Sequence, residues 1–390
     1  MNVEIKGVHF DNKGAHLMLL AVLDRLQRWR PDVGVVLGRG PGVPEDRRAE
    51  LGALRRLRLR RRGLDLSVLS YQWPSAVHRA LGRRGLVAEG GLDAILDASG
   101  FAYGRDWDPW LMAYAADEMR RLEAHGRPYV FLPQAFGPFD DTPLARRFAA
   151  ALERSPLVCV RDDESAAYLA TLRPALAARV ERFPDFTIGL AGDAAAAESH
   201  RVDRDTVLLV PNHHMLGARN ADPAWREGYA GFLVGIAQRL QDRCRVALLN
   251  HEGQADAALC GQVAQAGGRL SVIADRDPLA IKGIIGAAGA VVSSRYHACV
   301  SALSQGVPCL GTAWSHKYRA LYDEFGVPED LQRECNAAEA AHRVLQMLDE
   351  RAARAALLAR RTQVLQDQVE AMWRRVFAIM QDSRAVARRA

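Results

Sequence analysis

No apolar stretch in this 390-residue chain approaches the ~20 uninterrupted residues a membrane-spanning helix needs, and the opening MNVEIKGVHF lacks the basic-then-apolar layout of a secretory signal. A cytoplasmic protein is therefore expected. Cysteine is sparse: Cys159, Cys244, Cys260, Cys299, Cys309 and Cys335 are scattered, with no C-x-x-C pair and no metal-type spacing. That excludes a disulfide framework and a structural zinc knot, and reads as reduced, mostly buried thiols. Charge of one sign is nearly balanced too, since a formal +6 is modest for the length. The excess is local: "RRLRLRRR", Arg55 to Arg62, holds six arginines in eight positions. The run has no interleaved aromatics to stack on bases, so nucleic acid is not an expected partner. It reads first as a solvated helix face, and second as a peripheral contact with an anionic membrane surface at the inner face of the membrane.

What is present is an α/β pattern. Short apolar strands alternate with longer amphipathic or apolar segments, which argues for parallel sheets covered by helices on both faces. In the first half strands are expected near Val3–Val8, Val33–Leu37, Ala94–Leu96, Tyr129–Leu132, Leu157–Val160 and Val180–Phe183. In the second half they are expected near Val207–Val210, Val246–Leu249, Leu270–Ile273, Val291–Val292 and Cys309–Leu310. Between the sets lies "IGLAGDAAAAESHRVDRD", small and polar, so the boundary is expected near residues 190–204. Two Rossmann-like domains follow, 1–195 and 196–336, with proline-free helices over 337–390.

In open parallel sheets ligands sit beyond the carboxyl ends of the strands. There the sequence concentrates its polar residues: Asn12-Lys13-Gly14, Ser99-Gly100, Gln134 and Arg161-Asp162 in the first half, and Asn212-His213-His214, His251-Glu252, Arg295-Tyr296-His297 and His316-Lys317 in the second. The second-half ends are expected to converge on one crevice. Glycines after strands are common in such folds, so Gly14 and Gly100 taken singly say little. Arg295 and His297 say more. They open a helix, Ala298 to Gln305, that has no charge at all and should be buried, so its positive N-terminal end points into the crevice. Guanidinium, imidazole and helix end together suit a carboxylate or phosphate. A metal-dependent hydrolase built on His213, His214, His251, Glu252 and His297 is the less favoured use of the same residues, because their spacing matches no ligand motif. No metal and no tightly held cofactor are expected.

With "SSRYHACVSALSQGVPCLG" in view, the chain resembles the polysaccharide pyruvyl transferase family. The matching pieces are R-x-H (Arg295, His297), a small-residue helix, Gly306-Val307-Pro308 and then Lys317, supported by "NKGA", "PQAFGPF", "VRDDESAAYL" and Pro184-Asp185. The resemblance spans residues 1 to about 330. It departs at Ala15, where an acidic residue is usual, and at "DASGFAYG", where a Gly-rich turn is usual. The resemblance implies a GT-B-like pair of domains, phosphoenolpyruvate as donor and a sugar or lipid-linked saccharide as acceptor. The products would be a pyruvate ketal and phosphate. By the family pattern Arg295 and His297 contact phosphoenolpyruvate, with Arg161 as a second cationic contact; the chemistry such a reaction needs then suits His297 to the acid–base role, and Arg295, Arg161, Lys317 and Tyr296 to holding the donor. Asn12, Gly14, Gln134, His213, His214 and His251 are left for the acceptor. The rival is a GT-B glycosyltransferase using a nucleotide sugar. Many of those carry a Glu in the helix before G-V-P, and here "HACVSALSQ" has none.

Overall fold

The computed structural model describes residues 1–40, 42–61, 64–217, 220–312 and 317–387. The chain divides into two compact units. One comprises Met1–Phe10, Met18–Phe186 and Gln368–Ala390, and the other Asp11–Leu17 and Thr187–Asp367. The change-over between Phe186 and Thr187 falls nine residues before the expected boundary at 195/196. Two further exchanges have no local signature: the turn after the first strand belongs to the second unit, and the end of the last helix to the first.

Strands of the first unit, in chain order, are β1 (Asn2–Lys6), β2 (Gly34–Leu37), β3 (Leu54–Arg56), β4 (Arg60–Arg61), β5 (Leu64–Asp65), β6 (Leu86–Val87), β7 (Ala94–Asp97), β8 (Phe101–Tyr103), β9 (Tyr129–Phe136), β10 (Leu157–Val160) and β11 (Val180–Arg182). Nine of them form a parallel sheet ordered β11-β10-β9-β7-β1-β2-β3-β6, with β8 added on β9. The order reverses at β1, which lies between β2 and β7. One face is covered by helices Pro109–Ala124, Pro143–Leu152 and Asp163–Leu172, which bury Met119, Leu122, Phe148, Leu152 and Leu169 against Ile95, Phe131 and Val158. The tail of the last helix also belongs here: Trp373 and Phe377 stack, and Phe377 stacks on Trp29 at 4.6 Å.

In the second unit, β12 (Thr206–Val210), β13 (Arg245–Asn250), β14 (Ser271–Ala274), β15 (Ala290–Ser293), β16 (Cys309–Thr312) and β17 (Leu331–Gln332) form a second parallel sheet, ordered β14-β13-β12-β15-β16-β17. Its reversal lies at β12, between β13 and β15. Alternation along each strand divides the core. Leu208, Val210, Leu249 and Val291 pack on helices Pro278–Ala287 and Tyr296–Leu303, while Val207, Leu209, Leu248 and Val292 pack on Pro223–Leu240, Gly253–Ala266 and Ala337–Asp349. Both faces are thus apolar, which is why these strands read as unbroken hydrophobic runs. The C-terminal region is two helices, Ala337–Asp349 and Arg351–Ala387. No described helix is long and apolar enough to cross a membrane.

The arginine run is not a helix face. It enters as β3, turns through Leu57–Leu59 and leaves as β4, paired antiparallel with β5. Arg56, 7% exposed, points inward to Glu4, Glu89 and Glu118, and Arg60 lies over the Tyr114 ring at 3.7 Å. Those acids are remote in sequence, so no helical i,i+4 pattern could reveal them. Arg62 lies outside the described residues.

Candidate active site

Beyond the carboxyl ends of β12, β13 and β15 the second unit gathers Asn212, His213, His214, His251, Glu252, Arg295 and His297, the convergence expected at a strand-order reversal. Local chemistry builds each turn. Asn212 caps the short turn His213–Leu216 through His214 N–H, at 3.0 Å, and its amide donates to the Ser294 carbonyl at 2.8 Å. That carbonyl also accepts from Tyr318 Oη at 2.7 Å, and Ser294 Oγ bonds Tyr229 Oη and Thr312 Oγ1. The turn after β12 and the turn after β15 are thereby fixed to one another by buried, fully bonded polar groups.

Arg295 is the N-cap residue of helix Tyr296–Leu303 and is 7% exposed. Its Nε and Nη2 donate to the two oxygens of Asp256 at 2.7 and 2.6 Å, a bidentate fork, while Nη1 pairs with Glu252. Burial opposes the charge, but Glu252 and Asp256 outweigh it, so the guanidinium holds its proton more firmly than usual. The expectation of a guanidinium open to the crevice therefore meets one already engaged. The two carboxylates differ. Asp256 is wholly buried and also accepts from His213 N–H at 3.0 Å and His213 Nδ1 at 2.8 Å, whereas the Glu252 side chain keeps 21% of its surface exposed.

Asn12 and Gly14, expected in the acceptor half, belong to this same unit. Asn12 Oδ1 accepts from Ala15 N–H at 3.0 Å, capping helix Lys13–Trp29, and its amide donates to Glu252 Oε1 at 3.0 Å. Gly14 has a steric reason: a Cβ there would come 2.2 Å from His297 Nδ1. Glycine lets the helix start lie flat against the imidazole. Tyr296 meets the His297 ring edge-on at 5.3 Å, and Lys317 Nζ lies 5.2 Å from the centre of the Tyr296 ring. His251 is 2% exposed, and neither ring nitrogen has a hydrogen-bond partner among the described residues. Burial, then the nearby charges of Arg295, His297 and Lys13, hold it neutral, with its pKa pushed far down.

Two predicted residues lie in the first unit. Arg161, expected beside Arg295 on the donor, is 3% exposed and donates to Asp185 Oδ2 at 2.7 Å and the Gly100 carbonyl at 2.6 Å, tying the ends of β7, β10 and β11 together. Gln134 is fully buried near the end of β9, its amide without a hydrogen-bond partner among the described residues. His316 lies outside the described residues. Asp256 was missed by sequence reasoning. Its signal was spacing: in "NHEGQAD", Glu252 and Asp256 stand four apart across a helix start directly after a strand, which puts them on one face.

The model of the polysaccharide pyruvyl transferase family matches residues 12–316, most of the chain and nearly all the site. The chain belongs to the polysaccharide pyruvyl transferase family. No protein of curated function matches it. Among solved structures this pyruvyl transferase family member is similar to the UDP-GlcNAc 2-epimerase of Methanocaldococcus jannaschii (TM-score 0.56, 10% identity, covering 89% of this chain and 92% of that one). It is also similar to HepE of Anabaena in complex with UDP and glucose (0.55, 12%, 98% and 100%) and to the Neisseria meningitidis UDP-GlcNAc 2-epimerase bound to UDP-GlcNAc (0.54, 9%, 95% and 100%). At such identities the likeness concerns the fold, which is GT-B.

Proposed function

We propose that this family member transfers the enolpyruvyl group of phosphoenolpyruvate onto two nearby hydroxyls of a sugar in a cell-surface polysaccharide or its precursor. The observation that carries the reading is the Arg295–His297 turn at the strand-order reversal, with the helix start at Gly14 packed on His297. The positive N-terminal end of helix Tyr296–Leu303, with Lys317, suits the donor's phosphate and carboxylate. Arg295 joins them by exchange: Glu252, which keeps contact with solvent, gives up Nη1 to the donor carboxylate, while buried Asp256 keeps the fork oriented.

In the reaction His297, protonated when the dianionic donor raises its proton affinity, delivers a proton to the methylene carbon, which becomes a methyl group. The neighbouring carbon turns electrophilic and is attacked by the first hydroxyl, which loses its proton. The carbon–oxygen bond to phosphate breaks, phosphate departs with the bonding pair, and the second hydroxyl closes the ketal as its proton is lost. His251, held neutral by burial, and His213, whose Nδ1 is tied to Asp256, are the candidate acceptors of hydroxyl protons. His214 and Asn12 are assigned to holding the acceptor.

The test incubates the purified protein with phosphoenolpyruvate and a panel of hexosides bearing two nearby free hydroxyls. Phosphate release is followed together with a mass gain of one pyruvate ketal. Ketal product that vanishes in His297→Asn is expected. Sugar transfer from a UDP-sugar, with no ketal, would replace the proposal with the nucleotide-sugar reading, which the UDP named for the structural neighbours favours.

A further inference from the structure

The segment between β3 and β6 is polar on the inside and apolar on the outside. In its 3-10 turn Ser67–Gln72, Ser67 and Ser70 are buried: Ser70 Oγ donates to the Ser67 carbonyl at 2.6 Å and accepts from Gly90 N–H at 2.8 Å. Val68 and Leu69 face solvent instead, at 47% and 48% exposure, beside Leu66 and the 61%-exposed Leu64. The surface continues onto helix Pro109–Ala124. Arg60 lies over Tyr114, Tyr114 contacts Trp110 at 6.0 Å, and Trp110 and Leu111 are exposed at 57% and 40%. Among the described residues, seven of the ten exposed large hydrophobic side chains fall in these two segments. Residues 57–85 also hold seven arginines against one acid, Asp65, and that acid is turned inward to Arg121 and Arg60.

We infer that this face of the first unit docks on an anionic lipid bilayer. Exposed leucines enter the boundary between headgroups and acyl chains, Trp110 and Tyr114 sit at headgroup level, and Arg58, Arg79, Arg83 and Arg84, all exposed, meet the lipid phosphates. Charge decides the occupant. A second copy would bring the same arginines face to face in a two-fold interface, which like-charge repulsion opposes. The inference stands independently of the phosphoenolpyruvate reading.

The test is co-sedimentation of the whole protein with vesicles of phosphatidylcholine, and of equal parts phosphatidylcholine and phosphatidylglycerol. Binding to the anionic vesicles alone is expected, weakening as salt rises. Arg58→Glu, which changes the charge by two units, should weaken it about thirtyfold, and the triple variant Leu64→Ser/Leu66→Ser/Leu69→Ser should abolish it without lowering the melting temperature. Quenching of tryptophan emission by brominated lipid should fall in Trp110→Phe. No binding to anionic vesicles, unchanged binding by both the triple variant and Arg58→Glu, or a wild-type dimer that the triple variant dissociates would each overturn the inference. The last would mark an interface between copies; capture of an acidic protein in place of vesicles would overturn it equally.

Discussion

Arg56 and Arg295 are both buried to 7% exposure, and both are held by carboxylates, yet they stand at different places on similar sheets. Arg56 lies on a strand, beneath helix Pro109–Ala124, and its partners Glu4, Glu89 and Glu118 come from inside the fold. Arg295 lies one turn past the end of a strand, at the strand-order reversal, where Glu252 keeps contact with solvent and a glycine clears space beside His297. On the proposed reading, similar ion pairs serve as scaffold in one unit and as site in the other. Position relative to the strand ends, and one partner that keeps contact with solvent, separate the two.

The comparison breaks first if Arg56 matters to the reaction. Arg56→Met leaves buried Glu4 without its ion-pair partner, while Glu89 keeps Arg121 and Glu118 keeps Lys6, and should cost about 3–5 kcal/mol in urea unfolding. Phosphoenolpyruvate affinity of the folded protein should stay unchanged. His297→Asn should do the reverse, lowering kcat about 10²–10⁴-fold in the ketal assay while changing stability by about 1 kcal/mol or less. Gly14→Ala sharpens the contrast, because its Cβ forces the imidazole aside. It should cost about 1–3 kcal/mol and lower kcat with it, whereas Gly52→Ala, where nothing lies within 4 Å, should leave kcat alone. The two carboxylates of Arg295 should also part. Asp256→Asn should weaken donor binding, and Glu252→Gln, which removes the competing charge, should tighten it several-fold by calorimetry.

A smaller effect concerns pH. His251 is held neutral in the folded chain by burial and by Arg295, His297 and Lys13, so its folded pKa lies below the unfolded value of about 6.5. Its contribution to stability is full above that value and is lost as pH falls towards the folded pKa. The melting temperature of the wild type should thus drop between pH 7.5 and 5 by more than that of His251→Asn.

The two sheets were legible because buried parallel strands such as Leu157–Val160 and Thr206–Val210 are continuous apolar runs. The turns around Asn212, His251 and Arg295 were legible for a related reason: polar residues directly after such runs have few structural uses. β3 was not. It is three residues of an arginine-rich run, and the acids that neutralise Arg56 lie far along the chain. Nor could the run's apolar neighbour be foreseen, since Leu66, Val68 and Leu69 look like core until Ser67 and Ser70 are found in their place. The transfer of Asp11–Leu17 to the second unit was equally hidden, although Gly14 was singled out; its partner, His297, lies 283 residues away.

The most direct test of the central claim is calorimetric titration of the purified protein with phosphoenolpyruvate, and separately with UDP, for the wild type, Arg295→Lys and Glu252→Gln. Saturable phosphoenolpyruvate binding is predicted, weakened when the fork becomes a single ammonium and strengthened when Glu252 loses its charge, with no comparable response to UDP. Binding of UDP without phosphoenolpyruvate would contradict the account and make the Arg295–His297 turn a nucleotide site.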